Sequence, residues 1–148
     1  MHHPIAVFTD VEDTDISPAL AMLEAAGFET RVLATRDPQK IIAGAEGAQA
    51  LLPGYSEITR EVIEALPKLR IISLMSMGTD SVDIDAAGEH GIWVTNVPGA
   101  ATEEVATHAL TTVLAHLRRL PFYTASANPT DWNARSALAP RRVSELTL

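Results

Sequence analysis

The amino-acid sequence predicts an α/β protein: a doubly wound parallel sheet of about five strands, followed by a long helix and an extended arm. Three observations carry this. Five short apolar runs, at residues 5–9, 28–33, 48–52, 69–74 and 92–95, alternate with segments of helical pattern. The connections between them are short, as α/β units require. From Thr102 the alternation gives way to one sustained helical period. Strands separated by helices pair in parallel through right-handed crossovers, which closes the argument for the sheet.

The helices announce themselves by their ends. Ser17-Pro18 reads as an N-cap and N1 proline, and the helix carries Leu20, Met22, Leu23 and Ala26 before Gly27 stops it. Asp37-Pro38 repeats the start signal ahead of Ile41 and Ile42, with Gly47 near the stop. Pro53-Gly54 closes the third strand, Thr59 caps a helix bearing Val62, Ile63 and Leu66, and Pro67 ends it. A short helix, residues 83–90, precedes the fifth strand. Thr102 then caps a helix whose first turn holds Glu103 and Glu104 and whose last holds Arg118 and Arg119, both suited to the helix dipole. Val105, Ala106, Ala109, Leu110, Val113, Leu114 and Leu117 give it a broad apolar face, and Pro121 is its expected end. The arm is expected over residues 122–148.

With 148 residues, 47% hydrophobic and 20% charged, the chain is long enough for a real core and is not of disordered composition. The net charge of -8 argues against a nucleic-acid partner. No run approaches the roughly 18 apolar residues of a membrane span, and the start lacks the apolar stretch of a secretory signal. The absence of cysteine removes disulfide and thiolate chemistry and fits a cytoplasmic protein. No partner is spaced to help His2 and His3 hold a metal, so none is expected there.

The chemistry concentrates between Ser73 and His108. Met77-Gly78-Thr79-Asp80 follows the fourth strand, where a glycine lets successive amides point at one spot suited to a carboxylate or phosphate. Ligands of doubly wound sheets bind beyond the carboxyl ends of the strands. On the residues alone, an anion-binding turn and a plain tight turn with Asp80 as a cap are equally supported. Thr95-Asn96-Val97-Pro98-Gly99-Ala100-Ala101-Thr102 then breaks the fifth strand and opens the long helix.

Together these motifs closely resemble the substrate-binding half of the D-isomer-specific 2-hydroxyacid dehydrogenases. The likeness covers nearly the whole chain and is strongest from Ala65 onward; the turn at residues 73–80 is most similar to the glyoxylate/hydroxypyruvate reductase version. It implies a flavodoxin-like substrate domain at residues 1–98, then a hinge, an interdomain and dimerisation helix and the arm at residues 99–148. It implies hydride transfer between NAD or NADP and a small 2-oxo or 2-hydroxy acid, in a homodimer. It places Met77, Gly78 and Thr79 on the substrate, Met77 and Thr102 beside the cofactor, and no catalytic residue or metal ligand in this chain. The family's catalytic His, its Glu or Asp partner and its Arg would lie beyond Leu148, where the dinucleotide-binding domain is expected to begin. The chain contains no Gly-x-Gly, so the main cofactor seat is not in it. Alone it is expected to bind no cofactor and to be inactive. Two departures bear on substrate choice: many members have Asn where Ala101 stands and Glu where Thr107 stands.

Other polar features read as structural. His108 and His116 lie eight apart, whereas a helical metal pair is spaced by four, so interface or packing roles fit better. His90 sits near a helix end, where a cation is favourable. Asp10, Glu12, Asp13 and Asp15 follow the first strand and read as a solvated turn and cap. A phospho-receiver domain would share the alternation but needs an Asp after the third strand and a Lys after the fifth, where Leu52-Pro53-Gly54 and Thr95-Asn96-Val97 stand. A stand-alone binding or regulatory module of the same family is the remaining alternative.

Overall fold

A computed structural model describes residues 3–11, 14–126, 142 and 144. The chain divides into two compact units, Met1–Ala100 and Ala101–Leu148.

The first unit is a five-stranded parallel sheet in the order β2-β1-β3-β4-β5, formed by β1 (Ile5–Phe8), β2 (Glu29–Val32), β3 (Ala50–Leu52), β4 (Ile71–Ser73) and β5 (Trp93–Thr95). Each strand lies inside the apolar run that predicts it. The helices are α1 (Ser17–Ala25), α2 (Pro38–Gly44), α3 (Arg60–Ala65) and α4 (Ile84–Glu89). The chain moves one way from β1 to β2 and the other way from β2 through β5. Right-handed crossovers therefore place α1 on one face and α2, α3 and α4 on the other.

Burial follows that division. Val7, Leu51 and Ile72 project from the three central strands into one cluster with Ile41, Ala45, Val62, Ile63, Ala86 and Ala87 of α2, α3 and α4. The α1 face is thinner. No residue of α1 is buried, and Met22, read from the sequence as part of its apolar series, is 74% exposed.

Helix starts refine the sequence reading. Asp37 caps α2 as expected, its carboxylate accepting from the amides of Gln39 and Lys40. Asp83 caps α4 by accepting from Ala86. Ser17 is not the cap of α1: it is the first helical residue, and Asp15 accepts from its amide at 3.0 Å. The helix begins one residue early, so the serine's own amide is a first-turn orphan donor, and the carboxylate two residues upstream accepts from it. Thr59 holds the cap position of α3 without a side-chain cap bond.

The second unit contains α5 (Thr102–Leu117) and α6 (Leu120–Ser126). Thr102 was expected to cap α5 but is its first helical residue; Ala101 holds the cap position, and no side chain caps the helix. Pro121 does not begin an extended arm. Arg119, at φ 56°, breaks α5, and Pro121 sits in the first turn of α6, where its missing N–H costs no intrahelical bond. The rest of the expected arm lies outside the described residues, apart from Arg142 and Ser144. No helix among the described residues is long and apolar enough to cross a membrane.

Ile72 is fully buried in β4, on the α3 side of the sheet. We expect Ile72→Ala to lower the unfolding free energy by about 2–5 kcal/mol, and Met22→Ala to change it by less than about 0.5 kcal/mol. Urea denaturation of both variants checks the one-sided core; equal losses would contradict it.

Candidate functional site

All five strands point their carboxyl ends to one edge, so the loops after β1, β3, β4 and β5 meet there. The crossover direction reverses between β1 and β3, and Asp10 stands at that switch point. Its side chain is 5% exposed and accepts from three consecutive amides of the β3–α3 loop. Oδ1 takes Gly54 N at 3.1 Å and Ser56 N at 3.2 Å, and Oδ2 takes Tyr55 N at 2.7 Å. The Ser56 hydroxyl donates to Oδ1 at 2.5 Å and the Thr9 hydroxyl at 2.8 Å. Arg36 Nε lies 3.4 Å from Oδ2, and its guanidinium sits over the Tyr55 ring, 5.2 Å from the centroid.

Burial alone would raise the Asp10 carboxyl. The donors from Ser56, Tyr55, Thr9 and Gly54 outweigh it and hold the group at about 2. This corrects the reading of Asp10 as part of a solvated cluster; Glu12 and Asp13 lie outside the described residues. Gly54 belongs to the same clamp. A Cβ there would stand 3.0 Å from both the Asp10 carbonyl and Oδ2, so the loop approaches the carboxylate closely only because residue 54 has no side chain. The three amides form an anion nest, and the protein's own carboxylate fills it.

The second loop follows β4. Leu74 N bonds to Thr95 O and Met75 N to Pro53 O, fixing the turn to its neighbours on both sides. Asn96 Nδ2 donates to Met77 O at 2.6 Å, Val97 N to Ser76 O at 3.1 Å, and Ser76 Oγ to Gly78 O at 3.1 Å. Val82 N bonds to Thr79 O, and Ile58 N to Ser81 O. The carbonyls from Ser76 to Thr79 are thus occupied. Among the described residues, the amides of Gly78 and Thr79 donate to no protein acceptor.

Gly78 does not adopt a positive φ. A Cβ there would lie 2.5 Å from Oδ1 of the exposed Asp80 side chain and from no backbone atom, so a side chain at residue 78 would displace the Asp80 carboxylate, not the turn. Between this turn and the β3–α3 loop is an open hollow of about 350 Å³ lined by Gly54, Tyr55, Glu57, Ser76, Gly78, Asp80 and Ser81. The structure therefore brings Gly78 to a concave site and places Met77 and Thr79 beside it on the same turn. Thr102 begins α5 in the second unit. Tyr55, Ser56 and Asn96 were not singled out from sequence. Asn96 had a signal, since its Asn-x-Pro-Gly loop was noticed, but nothing local showed that its amide would reach back 19 residues.

A model of the D-isomer-specific 2-hydroxyacid dehydrogenase catalytic domain matches residues 5–134. The chain belongs to that family. It is 36% identical over 109 residues to D-3-phosphoglycerate dehydrogenase of Mycobacterium bovis, covering 73% of this chain and 21% of that one. It is 48% identical over 60 residues to hydroxyphenylpyruvate reductase of Plectranthus scutellarioides, covering 40% of this chain and 19% of that one. Among solved structures, an NADPH-dependent glyoxylate/hydroxypyruvate reductase from Sinorhizobium meliloti, in complex with NADP and malonate, superposes with a TM-score of 0.72 at 26% identity. That match covers 94% of this family member and 42% of the reductase. The chain spans about a fifth of the length of the curated relatives it matches.

The depressed Asp10 carboxyl makes a pH prediction. A folded value of about 2 against an ordinary 3.8 means that the ionised clamp contributes stability above pH 3.8, lost as pH falls towards 2. The full contribution is about 2 kcal/mol. Asp10→Asn should lose that much or more at pH 6 and flatten the decline between pH 4 and pH 2, as read from urea midpoints. A variant with the parent's acid profile would show that other carboxyls set it.

Proposed function

We propose that this chain is the substrate-binding portion of an oxidoreductase that transfers hydride between a nicotinamide cofactor and a small 2-oxo or 2-hydroxy acid. The observation that carries the reading is the β4 turn of a 2-hydroxyacid dehydrogenase family member. Its carbonyls are tied down, while the Gly78 and Thr79 amides have no protein acceptor among the described residues and Gly78 lines the hollow. Main-chain donors held in place before the ligand arrives need no reorganisation to receive a carboxylate. Met77, Gly78 and Thr79 are the proposed substrate contacts. Because the backbone does the binding, Met77 is free to vary.

The role assigned to this chain is to bind and orient the acid, not to move its proton. Among the described residues no imidazole lines the hollow, and Glu57 and Asp80 are exposed carboxylates. NAD or NADP supplies the hydride when bound. The residues present do not fit its main seat, because a pyrophosphate turn needs closely spaced glycines and the chain has no Gly-x-Gly. Met77 and Thr102 are at most edge contacts for it. We therefore expect no turnover from these 148 residues alone.

Titration with glyoxylate or oxalate, followed by amide NMR shifts, tests the site. Saturable shifts at Gly78 and Thr79 are expected, and they should be retained in Met77→Leu because only the backbone of residue 77 is proposed to bind. Shifts centred instead on Gly54, Tyr55 and Ser56 would place the anion in the nest that Asp10 fills.

The proposed assembly is a homodimer through α5, whose Val105, Leu110, Val113 and Leu114 are 40–59% exposed. Apolar faces of this kind mark interfaces, and two-fold pairing is the commonest solution. Sedimentation at micromolar concentration should show a dimer that Leu114→Asp weakens by at least about tenfold. A monomeric parent chain would refute the assignment.

A further inference from the structure

We infer that the hollow discriminates against acids that carry a second anionic group, such as a phosphate, and favours small monocarboxylates with an uncharged tail. The inference rests on the substrate reading above and concerns the charges that line the hollow. An acid held at Gly78, which lines the hollow, has Tyr55, Glu57 and Asp80 as neighbours of its remaining groups. The lining carries two side-chain carboxylates, Glu57 on the β3–α3 loop and Asp80 on the turn itself, and, among the described residues, no cation.

The neighbouring cations are engaged elsewhere. Arg36 is paired with Asp10, stacked on Tyr55, and lines a separate hollow with Val11, Ala34 and Thr35. Arg60 is paired with Glu89 at 2.6 Å and lies near Asp83 and Glu64. A phosphate in the hollow would meet two like charges with no counter-charge from the described lining. An uncharged tail would lose nothing there and would have the Tyr55 ring, 65% exposed, as an apolar surface. Glu57 and Asp80 are thus proposed specificity residues acting through charge. This separates the chain from what its extended similarity to D-3-phosphoglycerate dehydrogenases suggests by itself.

The probes are glyoxylate and D-glycerate against 3-phosphoglycerate, titrated into the 148-residue chain at low ionic strength and followed at the Gly78 and Thr79 amides. Two exposed like charges a few ångströms from a phosphate should weaken the phosphorylated acid by about tenfold, and 0.5 M salt should shrink the difference to about twofold. Glu57→Gln with Asp80→Asn should close most of the gap. Glu57→Gln alone, which leaves the turn untouched, should close part of it. Glu24→Gln with Glu46→Gln removes the same charge at the opposite edge of the sheet and should leave the gap unchanged. Equal or tighter binding of 3-phosphoglycerate, or a gap that the distal pair closes as well, would overturn the inference while leaving the substrate site standing. If none of the three acids shifts Gly78 or Thr79, the substrate reading fails and the inference with it.

Discussion

The site depends on one buried carboxylate. Asp10 joins the end of β1 to the start of the β3–α3 loop by accepting from three successive amides and two hydroxyls. The two strands are hydrogen-bonded neighbours, but their following helices lie on opposite faces, so their loops diverge at this point. Without a tie across the divergence, Gly54, Tyr55 and Ser56 would be an exposed loop with unpaired donors. With it they become a fixed wall. The β4 turn then docks on that wall through Met75 N to Pro53 O and Ile58 N to Ser81 O. The hollow exists because both its sides are held.

The two donor-bearing loops at this edge differ in what faces their amides. Three converging amides after β3 would suit a phosphate or carboxylate as well as any loop in the molecule. Asp10 occupies them, and Gly54 has no side chain to keep it away. The amides after β4 have no such internal occupant among the described residues, although the Asp80 carboxylate folds back over Gly78. Of two donor-bearing loops at this edge, one is filled by a structural anion and the other is the proposed substrate site.

Much of the fold was legible because it is written in local periodicity. Runs such as residues 48–52 and 69–74 contain their strands, and Pro38 and Pro67 mark helix boundaries as fixed-φ residues must. The turn at Met77 to Asp80 was legible for the same reason, as a glycine after an apolar run. Asp10 was not. A carboxylate among other acids two residues past a strand looks solvated, and only the β1–β3 pairing brings it to amides 44 to 46 positions away. Ser17 and Thr102 carry cap-type side chains but sit one position inside their helices, whose cap positions fall on Ile16 and Ala101, a one-residue offset that a local pattern does not resolve. The left-handed backbone at Arg119, which turns an expected arm into a second helix, has no signature in a residue type that seldom adopts it.

The direct measurement is a crystal structure of the chain with oxalate bound. The account predicts a carboxylate on the Gly78 and Thr79 amides, with Asp10 still buried against Gly54, Tyr55 and Ser56. Oxalate seated on those three amides with Asp10 displaced, or an ordered β4 turn whose amides bind no anion at saturating oxalate, would contradict it.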